Sequence, residues 1–269
     1  IGGAIGNLSD HRSSYPDIDW PAHMRDLVED FGLQYEPMTG QCHSFQEHQY
    51  VCGLLKGITT TLEKFGKDLW MDIMSSRYNK LAKSGDKGSS IMAQKKNPWM
   101  LEGGLKAMAK GMHTLEWSTR ELRLFAQEGD MGRSYITRDI GCDYARIVLG
   151  IARIGRELSQ YVPNEDNIAQ FIEDNPGMHS AAIMGVLKRA RVGGDAYRLM
   201  QSLSYDKATS RNKTRAEYEA GLAELMDDVK IPAELEAEVL DLLDPENNLG
   251  YARELTTQAK EKCLATIAT

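Results

Sequence analysis

The chain has 269 residues, 42% of them apolar and 26% charged, with a formal net charge of −7. That size and composition fit one large core, or a main domain with a smaller one, and exclude a disordered or collagen-like chain. The acidic balance argues against non-specific nucleic-acid binding. No run reaches the roughly 18 apolar residues of a membrane-spanning helix, and no basic-then-apolar secretion signal opens the chain. A soluble, cytoplasmic protein without nucleic-acid or membrane partners is expected.

The opening Ile1-Gly2-Gly3-Ala4 is Gly-rich and lacks an initiator Met, which reads as the interior of a longer polypeptide. Residues 1–40 carry Pro16, Pro21 and Pro37 and read as a connecting region with one short helix from Trp20 to Phe31. Val51, Leu55, Ile58, Leu62, Phe65, Leu69 and Ile73 recur at steps of three and four. They predict a long amphipathic helix over about residues 44–78 with a narrow buried stripe. Lys83 to Gly88 holds two glycines and no apolar residue, as expected of a segment able to close over a ligand. Asn97 then suits a helix N-cap and Pro98 a first helical residue. The helix they open runs through Met100, Leu105, Met108, Met112, Leu115 and Leu122. A third long helix covers about 134–161, through Ile140, Ala145, Val148, Ile151, Ile154 and Leu158.

Near Val162-Pro163-Asn164 the pattern turns to shorter helices, broken at Asn175-Pro176, Gly193-Gly194, Ile231-Pro232 and Asp244-Pro245. The acid-rich stretch from Glu217 to Glu238 reads as a solvated face. The expected fold is all-α: an elongated helix bundle over residues 1–162, with a loop at 84–98, and a smaller helical domain over 163–269. No internal repeat and no strand-like alternation of useful length is present. Cys42, Cys52, Cys142 and Cys263 are scattered, and the six histidines show no ligand spacing, so neither a metal nor a cofactor is expected.

The chemistry concentrates in Gly88-Ser89-Ser90-Ile91-Met92-Ala93-Gln94-Lys95-Lys96-Asn97-Pro98. Serine hydroxyls, backbone amides at a helix start and lysines there suit proton removal and the holding of a carboxylate. Taken alone, the same residues equally describe a solvated basic loop capping a helix. The whole string, however, resembles the signature loop of the aspartase/fumarase superfamily at every fixed position but one, Ala93 standing where proline is usual. A loop without that proline is expected to be looser.

The flanks resemble one family within it, the adenylosuccinate lyases. Gly3-Ala4-Ile5-Gly6-Asn7, His11, Tyr15-Pro16 and Asp19-Trp20 carry the likeness at one end, and Pro245, Asn247, Gly250 and Ala252 at the other. Ser134-Tyr135-Ile136-Thr137-Arg138 is similar to the family's phosphate-contacting pair, its hydroxyl and guanidinium one helical turn apart. Gln41 resembles a substrate-contacting glutamine. Gly129-Asp130 departs from the family's Arg-Asp pair, and the nearby Arg133 is the candidate replacement for the missing arginine.

The resemblance implies a lyase that cleaves adenylosuccinate to AMP and fumarate, and the related succinyl purine intermediate likewise. Ser89 would be the base, with Ser90 the alternative and Met92 beside them at the substrate. Lys95 and Asn97 would hold the succinyl carboxylate, and Ser134 and Arg138 the phosphate. It also implies a homotetramer whose active sites draw loops from three subunits. The family's general-acid histidine lies in a Thr-x-x-x-His-Gly-Gln segment that this sequence does not contain. His11, His43, His48 and His179 are the alternatives, each reading more simply as a structural or surface residue. Two further readings stay open. One is a related lyase with another amino-succinate substrate, since the loop's spelling is also similar to argininosuccinate lyases. The other is a non-catalytic helical oligomer.

Overall fold

The computed structural model describes residues 1–41, 43–81, 97–125, 130–192 and 195–268. It is all-α apart from two short strand pairs and divides into two compact units, Ile1–Val162 and Pro163–Thr269.

The first unit opens with α1 (Ser9–Ser14), a short helix that the turn-rich sequence does not announce, and α2 (Trp20–Asp30), close to the expected span. Asp19 caps α2 by accepting the Ala22 N–H at 3.2 Å, with Pro21 in the first turn. Gly6, at φ +80°, lies against Thr39; a Cβ there would sit 1.7 Å from the Thr39 carbonyl oxygen. Only glycine permits this approach, which brings the opening turn against the segment that leads to Gln41.

Three long helices come next: α3 (Gln46–Met74), α4 (Trp99–Glu121) and α5 (Arg133–Leu158). Between α3 and α4, β1 (Tyr78–Lys80) pairs with β2 (Tyr161–Pro163), which lies after α5. The buried core takes Leu69 and Ile73 from α3, Leu101, Met108, Met112 and Leu115 from α4, and Ile147 and Ile154 from α5. Two inward faces differ from the sequence reading. On α3 the interior line is Cys52, Thr59, Gly66, Leu69 and Ile73, while Val51, Ile58 and Phe65 are exposed. On α5 it is Asp143, Ile147, Gly150, Ile154 and Glu157, leaving Val148, Ile151 and Leu158 exposed.

The cause is close packing of α4 on α5. A Cβ on Gly150 would stand 2.7 Å from the Gly104 carbonyl oxygen, and one on Gly111 would stand 2.7 Å from that of Asp143. Small residues let the backbones meet, so the helices turn their glycines inward rather than every large apolar residue. Asp143, buried on this seam, accepts from Thr114 Oγ1 at 2.5 Å and from Arg146 Nη1 at 2.8 Å.

The start of α4 also differs. Trp99 is its first residue with Pro98 as the cap, one position later than expected, and no side chain provides a capping hydrogen bond.

The second unit contains α6 (Glu165–Glu173), α7 (Ser180–Arg189), α8 (Ala196–Ser204), α9 (Arg215–Val229), α10 (Ala233–Asp241) and α11 (Ala252–Ala268). Strands β3 (Tyr205–Asp206) and β4 (Arg211–Asn212) pair antiparallel, too short to show as alternation in sequence. The expected break at Gly193-Gly194 lies outside the described residues. The acid-rich stretch is only half solvated: Tyr218, Leu222 and Met226, four residues apart on α9, join Val239 of α10 in the core with Ile183, Leu187 and Leu203. A capping box starts α9, Thr214 and Glu217 exchanging side-chain and backbone hydrogen bonds. Arg211 and that box hold the Glu217 carboxyl down at about 2.

His179 is buried, with Nδ1 2.9 Å from Asn248 Nδ2, and burial first, then Arg215, pushes its pKa below the usual histidine value. A depressed histidine stabilises the fold fully above its unfolded pKa of about 6.5 and loses that contribution as pH falls. Thermal unfolding of His179→Gln should therefore depend less on pH below about 6.5 than the parent protein does. For the helix seam, Gly150→Ala should lower stability by about 1–3 kcal/mol in denaturant unfolding, since the added methyl meets backbone.

Candidate active site

The candidate residues divide between the two ends of the α3–α4–α5 bundle. At one end, residues 34–36, 38–41, 43 and 44 and the start of α3 border a cleft of about 1060 Å³ with Leu122, Arg123 and Arg133. Gln41 lies in its wall. The arrangement follows from the chain: α4 ends at Glu121, α5 begins at Arg133, and the antiparallel seam sets these ends beside the start of α3.

Arg133 is the unusual group of the cleft. Its guanidinium stacks 5.1 Å over the Phe125 ring, and its Nε and Nη1 are buried without a hydrogen-bond partner. No carboxylate pairs with it among the described residues. A guanidinium held in this way, with its fork unspent, suits a carboxylate or phosphate. The cleft's other cation, Arg123, is engaged by Gln49.

Ser134 and Arg138 share one face of α5 but are turned to local partners. The Ser134 hydroxyl donates to the Met131 carbonyl at 2.9 Å, and the exposed Arg138 lies 5.4 Å over the Tyr135 ring. Neither borders the cleft that holds Gln41 and Arg133.

Asn97 stands at the opposite end, exposed, just before α4. The 23 residues of α4 separate it from the cleft, roughly 35 Å at 1.5 Å per residue. Ser89, Ser90, Met92 and Lys95 lie outside the described residues, as do Ala93 and Gly129.

Beside Asn97 the structure reveals a residue that the sequence reading passed over. Glu157, fully buried in the last turn of α5, accepts the Met100 N–H at 3.1 Å through Oε2. Its Oε1 lies 3.6 Å from the Lys80 ammonium, also buried. The available signal was an acid continuing the inward series 143, 147, 150, 154 on an apolar face.

Comparison with known proteins bears on what these two ends belong to. Residues 18–111 match the family described as lyase. Over 252 residues, 93% of its length, the chain is 29% identical to the adenylosuccinate lyase of Dictyostelium discoideum, covering 53% of that protein. It is 24% identical to those of Haemophilus influenzae and Escherichia coli strain K12, over 95% and 97% of this chain and 54% and 55% of theirs. The chain is thus similar to lyases, over residues 18–111 by the family match and along most of its length by these relatives.

It spans about half the length of the curated relatives it matches. The family match takes in Gln41, the Ser89–Lys95 loop and Asn97, and stops short of Arg133, Ser134 and Arg138. In this chain the four histidines considered as acids have local partners or neighbours. His11 pairs with Asp10 and meets the Trp20 edge, and His43 accepts from the Phe45 N–H and contacts Glu47. His48 packs against Phe45, and His179 is buried in the second unit. No helix among the described residues is long and apolar enough to cross a membrane.

Proposed function

We propose that the protein carrying this chain is an adenylosuccinate lyase of the aspartase/fumarase superfamily. It splits adenylosuccinate, and the related succinyl purine intermediate, into the purine product and fumarate by β-elimination, in the cytoplasm and without a cofactor. The observation that carries this reading is the match to adenylosuccinate lyases along 93% of the chain or more.

In this proposal Ser89 removes the proton from the carbon next to the succinyl carboxylate, and the electron pair delocalises onto that carboxylate as an aci-carboxylate. Collapse of the carbanion forms the double bond of fumarate and breaks the C–N bond, and the leaving nitrogen takes a proton from a general acid. An isolated serine is far too weakly acidic for this, so its alkoxide needs amides and a cation close by. Lys95 is placed as that cation and, with Asn97, as the holder of the succinyl carboxylate, with Ser90 and Met92 beside them. Gln41 and Arg133 contact the substrate in the cleft, Arg133 in place of the arginine expected at Gly129. Ser134 and Arg138 take the nucleotide phosphate once the hydroxyl turns from Met131 and the guanidinium leaves Tyr135.

Separation of Gln41 and Arg133 from Asn97 by the length of α4 has a further consequence. No nucleotide monophosphate spans roughly 35 Å, so a complete site draws its two halves from different copies of the chain. This separation supports sites shared between copies, and a homotetramer is the assembly that the resemblance to adenylosuccinate lyases implies. Exposed apolar residues support association: Tyr50, Val51, Leu54 and Ile58 on α3, and Val148 and Leu149 on α5.

Ser89→Ala should reduce fumarate release from adenylosuccinate, followed by ultraviolet absorbance, by about 10²–10⁴-fold while thermal stability and substrate binding persist. A variant that keeps full turnover would remove Ser89 from the mechanism. Arg133→Met should raise KM by about tenfold or more, the loss of one charge-assisted contact, with the thermal midpoint unchanged or higher. A lower midpoint with unchanged KM would assign Arg133 to folding alone.

A further inference from the structure

Three contacts converge on the C-terminal end of α5 and the turn just beyond it. The Met100 N–H donates to Glu157 Oε2 at 3.1 Å, the Lys80 ammonium lies 3.6 Å from Glu157 Oε1, and the Leu81 N–H donates to the Gln160 carbonyl at 2.7 Å. Lys80 and Leu81 precede the signature loop in sequence, and Met100 comes after it. One short stretch, Glu157 to Gln160, therefore holds the chain on both sides of that loop.

Such a carboxylate in the interior is not a generic stabiliser. Replacing a buried ion pair by apolar residues is often neutral or favourable, so burying Glu157 without solvent access suggests a positional task. What it fixes is visible. Met100 is in the first turn of α4, Pro98 is the cap, and the Trp99 N–H donates to the Asn97 carbonyl at 2.9 Å. A hold on the Met100 amide is thus a hold on Asn97, three residues earlier.

We propose that Glu157 is a positioning residue for Asn97, acting through the Met100 amide, with Lys80 as its counter-charge. The inference rests on the reading of Asn97 as a substrate-binding residue of a fumarate-releasing lyase. Lys80, 3.6 Å from Oε1, orients the carboxylate, and the amide fixes the direction in which α4 starts. Asn97 then meets the substrate at a set place without reorganising.

Removing Glu157 alone leaves Lys80 buried and unpaired, which risks the fold, so the test uses two neutral pairs in the full natural polypeptide. Lys80→Met with Glu157→Gln keeps an acceptor for the Met100 N–H, and Lys80→Met with Glu157→Leu removes it. The Gln pair should retain most of kcat, while the Leu pair loses about tenfold or more at a similar thermal midpoint. In an Asn97→Ala background the two pairs should have equal kcat, since the effect passes through Asn97. Equal kcat in both pairs, or a loss that multiplies on top of Asn97→Ala, overturns the proposal. Should the parent protein release no fumarate from adenylosuccinate, the functional reading fails, and amide exchange at Met100 decides on Glu157 instead. Exchange at least tenfold faster in the Leu pair than in the Gln pair supports the hold, and equal exchange overturns it.

Discussion

The close approach of α4 and α5 at Gly104 and Gly150 is the contact on which the first unit depends. Their backbones nearly touch, each glycine's missing Cβ lying within 3 Å of the other's carbonyl oxygen. That contact fixes an antiparallel register along the whole seam. Thr114 meets Asp143 toward one end, and Met100 meets Glu157 at the other. Both polar ties are buried carboxylates that accept a hydrogen bond from a hydroxyl or an amide of the facing helix, so each works only in this register. Dispersion along such a seam is individually small and collectively large.

The register also determines what the bundle can present. Since α4 and α5 run antiparallel without slippage, the cleft holding Gln41 and Arg133 and the loop exit at Asn97 stand at opposite ends of one rigid object. No side-chain motion closes a gap of roughly 35 Å. Under the proposed function each end holds part of the site: at one a guanidinium backed by Phe125, at the other an asparagine tied through Met100 to a buried acid. Exposed Val51, Leu54 and Ile58 give the bundle an apolar flank. Rigidity within the chain follows from this packing, and so, under the proposed function, does division of the site between copies.

How much of this the sequence carried depends on residue size. Helix periodicity located α3, α4 and α5 to within a few residues, because long runs of steps of three and four have no competing reading. It misplaced the inward faces of α3 and α5. Counting large apolar residues favours Val51, Ile58 and Phe65, yet Cys52, Thr59 and Gly66 form the adjacent line that packs inside. A helix with two apolar flanks offers two readings, and glycine, the residue that decides between them here, adds nothing to a hydrophobic count. On α9 the dense acids hid Tyr218, Leu222 and Met226 at perfect four-residue spacing. Site residues in the Ser89–Lys95 loop were legible only as a motif, since loop chemistry has no period. Glu157 was not legible at all as a partner of Met100, 57 residues distant in sequence.

Glu157 also changes what the start of α4 offers to an anion. Read from sequence, a helix opening at Asn97-Pro98 presents free N–H groups and a positive dipole end, a ready seat for a substrate carboxylate. In the folded chain the Met100 amide is already committed to the protein's own carboxylate, and the Lys80 ammonium is committed to the same group. Like charges repel most strongly where solvent is excluded, so a second carboxylate would avoid that amide and settle farther out. Under the proposed function the side chains of Lys95 and Asn97 are the donors for it. On that proposal the site depends on the placement of these two side chains more than on the helix dipole. This explains why a buried acid should be spent on fixing where Asn97 stands.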